Sequence, residues 1–98
     1  MEQPGGIIVL KIKDSRQFKK DYKKCCKRGL NMDLLKSVVS ILVLPSVLPK
    51  NNQDHNLKGD YKGFRECHIA SDWLLIYRYN GGYLELSRTG THSDLFDE

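Results

Sequence analysis

The second half of the chain carries three β-rich runs with almost no chain between them. Tyr61–Ile69, Asp72–Tyr79 and Tyr83–Arg88 are separated only by Ala70 and Ser71, and then by Asn80, Gly81 and Gly82. Connections that short join neighbouring antiparallel strands, because a parallel return needs a crossover of a dozen residues or more. A three-stranded meander is therefore expected. Such a sheet needs a partner layer to bury one of its faces.

The first half supplies that layer. IIVLKIK, residues 7–13, reads as a strand. Asp14 with Gln17 three residues later is a capping-box pattern, opening a helix from Ser15 to Arg28. Phe18, Tyr22 and Cys25 fall at i, i+4 and i+7 and should form its buried stripe, with Gly29 as C-cap. A second helix is expected over Met32–Leu44, where Leu34, Leu35, Val38, Val39 and Leu42 keep helical spacing. Pro45 and Pro49 end it. The turn between the helices is two or three residues long, which makes them an antiparallel hairpin. Asn51–Lys58 reads as a polar loop. The order β-α-α-β-β-β predicts a two-layer α+β fold, an antiparallel sheet packed on the hairpin, with its other face left to carry a site. Ninety-eight residues leave room for one core, so 1–98 should be a single domain.

Charge narrows the choice of partner. The net charge is +4, and nine of the sixteen basic residues lie between Lys11 and Arg28. This favours an anionic partner, nucleic acid ahead of membrane. Lys19, Lys20, Lys23, Lys24 and Lys27 avoid the apolar stripe of the first helix. A solvated face is the usual reason for such a run, but its density favours a ridge that contacts phosphates. Cys25, Cys26 and Cys67 are odd in number and lack CxxC spacing, so they read as reduced cytoplasmic thiols rather than disulfides or a zinc ribbon. MEQPGGIIVLKIK lacks the basic start and long apolar core of a signal peptide. VVSILVLPSVL is about half the ~20 residues a membrane helix needs. A cytoplasmic protein is expected, with no membrane partner.

Polar chemistry gathers in DHNLKGDYKGFRECHIASDWLLIYR, residues 54–78, and again in RTGTHSDLF near the C-terminus. His55 and His68 lie in the first stretch and His92 in the second. Histidine moves protons near neutral pH, and a neighbouring carboxylate such as Asp72 orients it. All three histidines could meet at one end of the sheet. Spacing alone favours three separate surface histidines, each with local hydrogen bonds. Strand alternation puts Glu66 and His68 on one face and turns Arg65 and Cys67 to the other, unless a bulge intervenes. Cys67 and His68 therefore cannot easily share an ion, no HExxH or His-x-His spacing exists, and no metal or other cofactor is expected. No serine or cysteine stands convincingly beside a base, so a nucleophile would come from substrate or water. Trp73 and Phe96 are candidate base-stacking platforms. Trp73 is equally readable as a core anchor.

DHNLKGDYKGFRECHIASDWLLIY followed by RTGTHSDLF resembles the signature of the YafQ-type branch of the RelE/ParE toxin superfamily, and the β-α-α-β-β-β order extends the resemblance over the first half in pattern. The resemblance implies a toxin of a bacterial type II toxin–antitoxin module, an endoribonuclease that cuts mRNA in the A site of the 70S ribosome. It implies cutting at lysine codons, with the RNA 2′-hydroxyl as nucleophile and a 2′,3′-cyclic phosphate as product. His55, His68, Asp72 and His92 would then form the acid–base set. Arg88, with Arg65 as a weaker choice, would stabilise phosphate charge, Glu66 would contact substrate, and Trp73 and Phe96 would position bases. Lys19, Lys20, Lys23, Lys24 and Lys27 would contact ribosomal RNA. A cognate antitoxin with a DNA-binding domain is implied as partner and co-repressor of the shared operon. Ser71 departs from the pattern, which usually has proline there. Two other classes remain compatible with this fold: a ParE-like gyrase poison, against which the complete histidine set argues, and a non-catalytic antitoxin-binding module.

Overall fold

The computed structural model describes residues 9–44 and 48–96. The start of the expected first strand at Ile7 and Ile8, and the expected helix stop at Pro45, lie outside these residues. The described elements are β1 (Lys11–Asp14), α1 (Arg16–Lys27), α2 (Met32–Leu42), β2 (His55–Asn56), β3 (Arg65–Ala70), β4 (Trp73–Asn80), β5 (Tyr83–Gly90) and α3 (His92–Phe96), with short 3-10 turns at Lys50–Asn52 and Gly59–Tyr61.

The meander is present as β3-β4-β5. Its second turn is Gly81-Gly82, with φ of +57° and +83°. Both central positions of this two-residue hairpin need the left-handed region, which glycine reaches without strain. Two strands extend the sheet to the order β1-β5-β4-β3-β2. β1 pairs with β5 in parallel, so one edge of the otherwise antiparallel sheet is mixed. β2 is a two-residue strand on β3, where a plain loop was expected.

Both helices form close to their expected bounds. Ser15, rather than Asp14, caps α1, its side chain accepting from the Phe18 amide. Asp14 is still in β1, which shifts the cap by one residue. Phe18 and Cys25 are buried as expected, whereas Tyr22 is only partly buried and the third buried position is Asp21. Leu35, Val38 and Leu42 of α2 complete the helical layer, and Leu34 stays exposed. Against this layer the sheet presents Cys67, Trp73, Leu75, Tyr77, Leu84 and Leu86. The opposite face carries a smaller cluster of Leu74, Ile76 and Leu95, flanked by Leu57, Tyr61, Phe64 and Phe96. α3 therefore folds back across the face away from the hairpin.

Candidate functional site

Two irregularities in the sheet decide which side chains reach the α3 face. In β3 the pairing is His68 with Leu74 but Ala70 with Trp73, so Ile69 is an extra residue. The bulge lies beyond the RECH stretch. Glu66 pairs with Ile76 and His68 with Leu74, which puts both on the α3 face. In β5, Tyr77 pairs with Leu86 while Ile76 pairs with Arg88, so Ser87 is extra. An unbroken ladder would have aligned Arg88 with Leu75 on the hairpin side. The bulge moves Arg88 to Ile76 and the α3 face. Ser15 holds it there: its hydroxyl donates to the Ser87 carbonyl at 2.8 Å while also capping α1.

Across the α3 face, His55, Glu66, Ile76 and Arg88 form one row, and His68, Leu74 and Gly90 the next. His92 begins α3 two residues beyond Gly90. Asp72, in the β3–β4 turn, accepts from the His92 amide at 3.1 Å and pairs with its Nδ1 at 2.8 Å. These bonds hold the Asp72 carboxyl below its usual range. In the neutral ring this pairing selects Nδ1–H and puts the lone pair on Nε2. The His92 ring lies 5.9 Å from that of His68, centre to centre, and 6.4 Å from that of Phe96. His55 donates from Nδ1 to the Gln53 carbonyl at 2.6 Å, since a carbonyl only accepts. Its Nε2 is 3.5 Å from Glu66 Oε1. Glu66 is buried, and its Oε2 has no hydrogen-bond partner among the described residues. Three of the expected groups, Glu66, His68 and His92, place ligand atoms within 4.8 Å of one another. They could hold a metal ion, a set that a spacing test confined to one segment does not find.

Arg88 is partly buried and donates to Asp21 of α1 at 2.8 and 3.3 Å. Hydrogen bonding to Asp21, with a smaller contribution from Tyr61, raises its pKa further. Tyr61 links it to the aromatic edge of the site, with ring centres 5.9 Å from Phe96 and 6.1 Å from Phe64. Phe96 is half-buried against the small apolar cluster rather than free in a polar tail. Short-range pattern did not single out Tyr61, Phe64 or Arg78, whose guanidinium sits 4.7 Å over the Phe64 ring.

Two expected site residues lie elsewhere. Trp73 is 3% exposed on the hairpin face, and its indole donates to Thr89 Oγ1 at 2.9 Å. Buried on the wrong side of the sheet, it cannot stack on a base. Arg65 pairs with Tyr77 on that same face and binds Asp54 at 3.1 Å and Asn56 at 2.7 Å. Tyr77 also donates to Asp54, at 2.6 Å. Arg65 thus ties down the segment that carries His55 and does not face the histidines. Of the α1 lysines, Lys19, Lys20, Lys23 and Lys27 are exposed, and Lys24 reaches Asp94 of α3 at 3.2 Å.

Comparison with known proteins places this arrangement. The family model described as a bacterial toxin of type II toxin–antitoxin system, YafQ, matches residues 10–97. The chain belongs to the YafQ toxin family. It is 41% identical over 91 residues to the mRNA interferase toxin YafQ of Escherichia coli strain K12, covering 92% of this chain and 99% of that one. YafQ as found in the crystal structure of the E. coli DinJ–YafQ toxin–antitoxin complex superposes with a TM-score of 0.83 at 40% identity, covering 91% and 99%. A metal-bound toxin from Helicobacter pylori gives 0.85 at 42% identity, covering 90% and 100%. The mixed sheet with its helical hairpin is the fold these YafQ structures share. Among the described residues, no helix is long and apolar enough to cross a membrane.

Proposed function

We propose that this chain is the endoribonuclease toxin of a type II toxin–antitoxin module, cutting mRNA in the ribosomal A site. The observation that carries the reading is the Asp72–His92 pair at 2.8 Å, set ring to ring against His68. Two histidines about one phosphodiester apart suit a reaction that must take a proton from one oxygen and give one to another. The RNA supplies the nucleophile. Its 2′-oxygen attacks the adjacent phosphorus, the bond to the 5′-oxygen breaks, and the products are a 2′,3′-cyclic phosphate and a 5′-hydroxyl. The 2′-hydroxyl proton leaves to one site base and the departing 5′-oxygen takes a proton from the site.

Asp72 orients the His92 ring through its bond to Nδ1. The His55–Glu66 pair stands behind His68 as a second reservoir for the proton. Arg88, charged at any working pH, stabilises the phosphoryl oxygens, and Phe96 offers a face for a base. The exposed α1 lysines engage ribosomal RNA, and lysine codons are the expected targets. The likeness to YafQ in complex with DinJ supports an antitoxin partner; in this reading that partner carries a DNA-binding domain and represses the shared operon. A cleft between β1 and the hairpin, lined by Ile12, Phe18, Tyr22, Leu35 and Val39 and rimmed by Lys19, Lys23 and Lys36, has the polarity to seat an acidic amphipathic segment of that antitoxin.

The chemistry is tested on the ends of the fragments. An mRNA with one in-frame lysine codon, translated in a reconstituted system with the toxin, should yield an upstream fragment ending in a 2′,3′-cyclic phosphate and a downstream fragment starting with a 5′-hydroxyl. Fragments bearing a 3′-hydroxyl and a 5′-phosphate would exclude attack by the 2′-oxygen.

A further inference from the structure

We infer that Asp21 of α1 is a positioning residue for the proposed cleavage: it fixes the guanidinium of Arg88 in the pose that meets the phosphoryl oxygens. Asp21 differs from its neighbours in the helix. Lys19, Lys20, Lys23 and Lys24 are exposed, whereas the Asp21 side chain is 7% exposed. A buried carboxylate is costly unless hydrogen bonds satisfy its oxygens. Asp21 directs most of its bonds to the site strand. Oδ2 accepts from Arg88 Nε at 2.8 Å and from the Thr89 amide at 3.2 Å. Oδ1 accepts from Arg88 Nη2 at 3.3 Å and from Gln17 Nε2 at 2.9 Å.

This placement follows from where β1 stops. β1 pairs with β5 as far as Asp14 with Leu86. Beyond that point the start of α1 serves the β5 edge through side chains. Ser15 holds the Ser87 carbonyl and Asp21 holds the Thr89 amide, one on each side of Arg88. The backbone that carries Arg88 is therefore fixed before and after it, and Asp21 fixes the side chain as well.

Bonds from Nε and Nη2 to the two oxygens of one carboxylate form a side-on pair. Such a pair sets the plane of the guanidinium as well as its place, and it turns the Nη1 end away from Asp21. Tyr61 is a second, weaker partner of the same guanidinium. An arginine held in this way is ordered before RNA arrives, so it need not reorganise as charge develops on the phosphoryl group. The drawback is electrostatic. A carboxylate beside a phosphate site repels the substrate, so Asp21 lowers the affinity that Arg88 would give alone. The arrangement favours rate over binding, a split that a merely structural carboxylate would not produce. The effect on cleavage rests on the nuclease reading above; the fixing of Arg88 does not.

The test compares wild type, Asp21→Asn, Arg88→Ala and the double variant. Asparagine keeps the size of the side chain but offers one acceptor oxygen instead of two. Single-turnover cleavage is followed on ribosomes programmed with a defined mRNA, over a range of toxin concentrations, and Tm is measured alongside. Asp21→Asn should slow the cut at saturating toxin at least ~10-fold, while the half-saturating concentration stays the same or falls. Arg88→Ala should itself cost ~10²–10³-fold. In that background Asp21→Asn should slow the cut by less than about twofold more, although it still lowers Tm. Saturated cutting by folded Asp21→Asn within about twofold of wild type, or equal slowing with and without Arg88, would overturn the role. A second measurement needs neither RNA nor a variant that folds. In the wild-type proton–nitrogen NMR spectrum, the Arg88 Nε–H should exchange with water at least ~10-fold more slowly than that of the exposed Arg16. Equal exchange would overturn the fixing of Arg88 even in a toxin that cuts. Slow exchange in a wild type that cuts no RNA would uphold the fixing and overturn only its part in cleavage.

Discussion

Trp73 follows Asp72 directly, yet their side chains leave the β3–β4 turn on opposite faces of the sheet. Asp72 reaches His92, while Trp73 is sealed in the hairpin-side core on Thr89. Trp73→Phe should lower stability by about 1–3 kcal/mol through lost packing and the lost indole bond, seen as a fall in Tm. Cleavage per folded molecule should stay within about twofold of wild type if Trp73 only supports the core. A large loss of cleavage at unchanged stability would return Trp73 to the site. The thiols make a second residue-scale prediction. Burial pushes Cys67 up to about 12 and raises Cys25 as well, and both are essentially inaccessible. Iodoacetamide at pH 8 should modify the exposed Cys26 alone in the folded protein. Fast loss of all three thiols would mean that the core opens. Alternation along RECH was enough to pair Glu66 with His68 and turn Arg65 away. It could not tell whether Trp73 served core or site, because a large aromatic fits either environment and only the turn geometry chooses.

At the scale of elements, the site depends on two short devices. The first is the contact between the α1 cap and the β5 bulge. Ser15→Ala removes a helix cap worth about 1 kcal/mol and also the bond that holds Ser87, and through it the aim of Arg88. Its loss of cleavage should exceed that of an equally destabilising core variant such as Val38→Ala; equal losses would show that the bulge holds without Ser15. The second is Asp94, which ties α3 to α1. Its carboxylate takes Arg28 at 2.6 and 3.0 Å and the Thr91 amide at 2.9 Å, while its own amide donates to Thr91 Oγ1 at 3.1 Å. These bonds hold it far below the usual carboxylate range. Asp94→Ala should cost about 1–2 kcal/mol, the half-exposed Arg28 end being screened by water. Hydrogen exchange should quicken in α3 and not in β3–β5. Helices and meander were readable because their periods are strong and their connections short, with glycine in the α1–α2 and β4–β5 turns. The bulges at Ile69 and Ser87 leave no mark in residue type, and a two-residue strand such as β2 is too short to show a period.

Over the whole molecule, the basic ridge meets the histidine end through α3: Lys24 reaches Asp94, in the helix that begins with His92. Lys19, Lys20, Lys23 and Lys27 line the solvent side of α1, and His68 and His92 stand together on the α3 face of the sheet. On the proposed function, the ridge is the surface that contacts ribosomal phosphates. Replacing Lys20, Lys23 and Lys27 by alanine should weaken ribosome association and lower the slope of log affinity against log salt by roughly one unit for each lost phosphate contact. An unchanged slope would leave the lysines as a plain solvated face. The parallel pairing of β1 with β5 was not legible, because the two segments are more than sixty residues apart and nothing local to either names its partner.

The most direct test of the account is primer extension on a defined mRNA in a reconstituted translation reaction, with and without ribosomes, comparing wild type with His92→Ala. A proton-carrying histidine is worth ~10²–10⁴-fold in rate. The account predicts in-frame cuts that need both ribosomes and the wild-type side chain, with His92→Ala folded and at least 100-fold slower. Wild-type cutting by folded His92→Ala, or no cutting by the wild type on translating ribosomes, would contradict it.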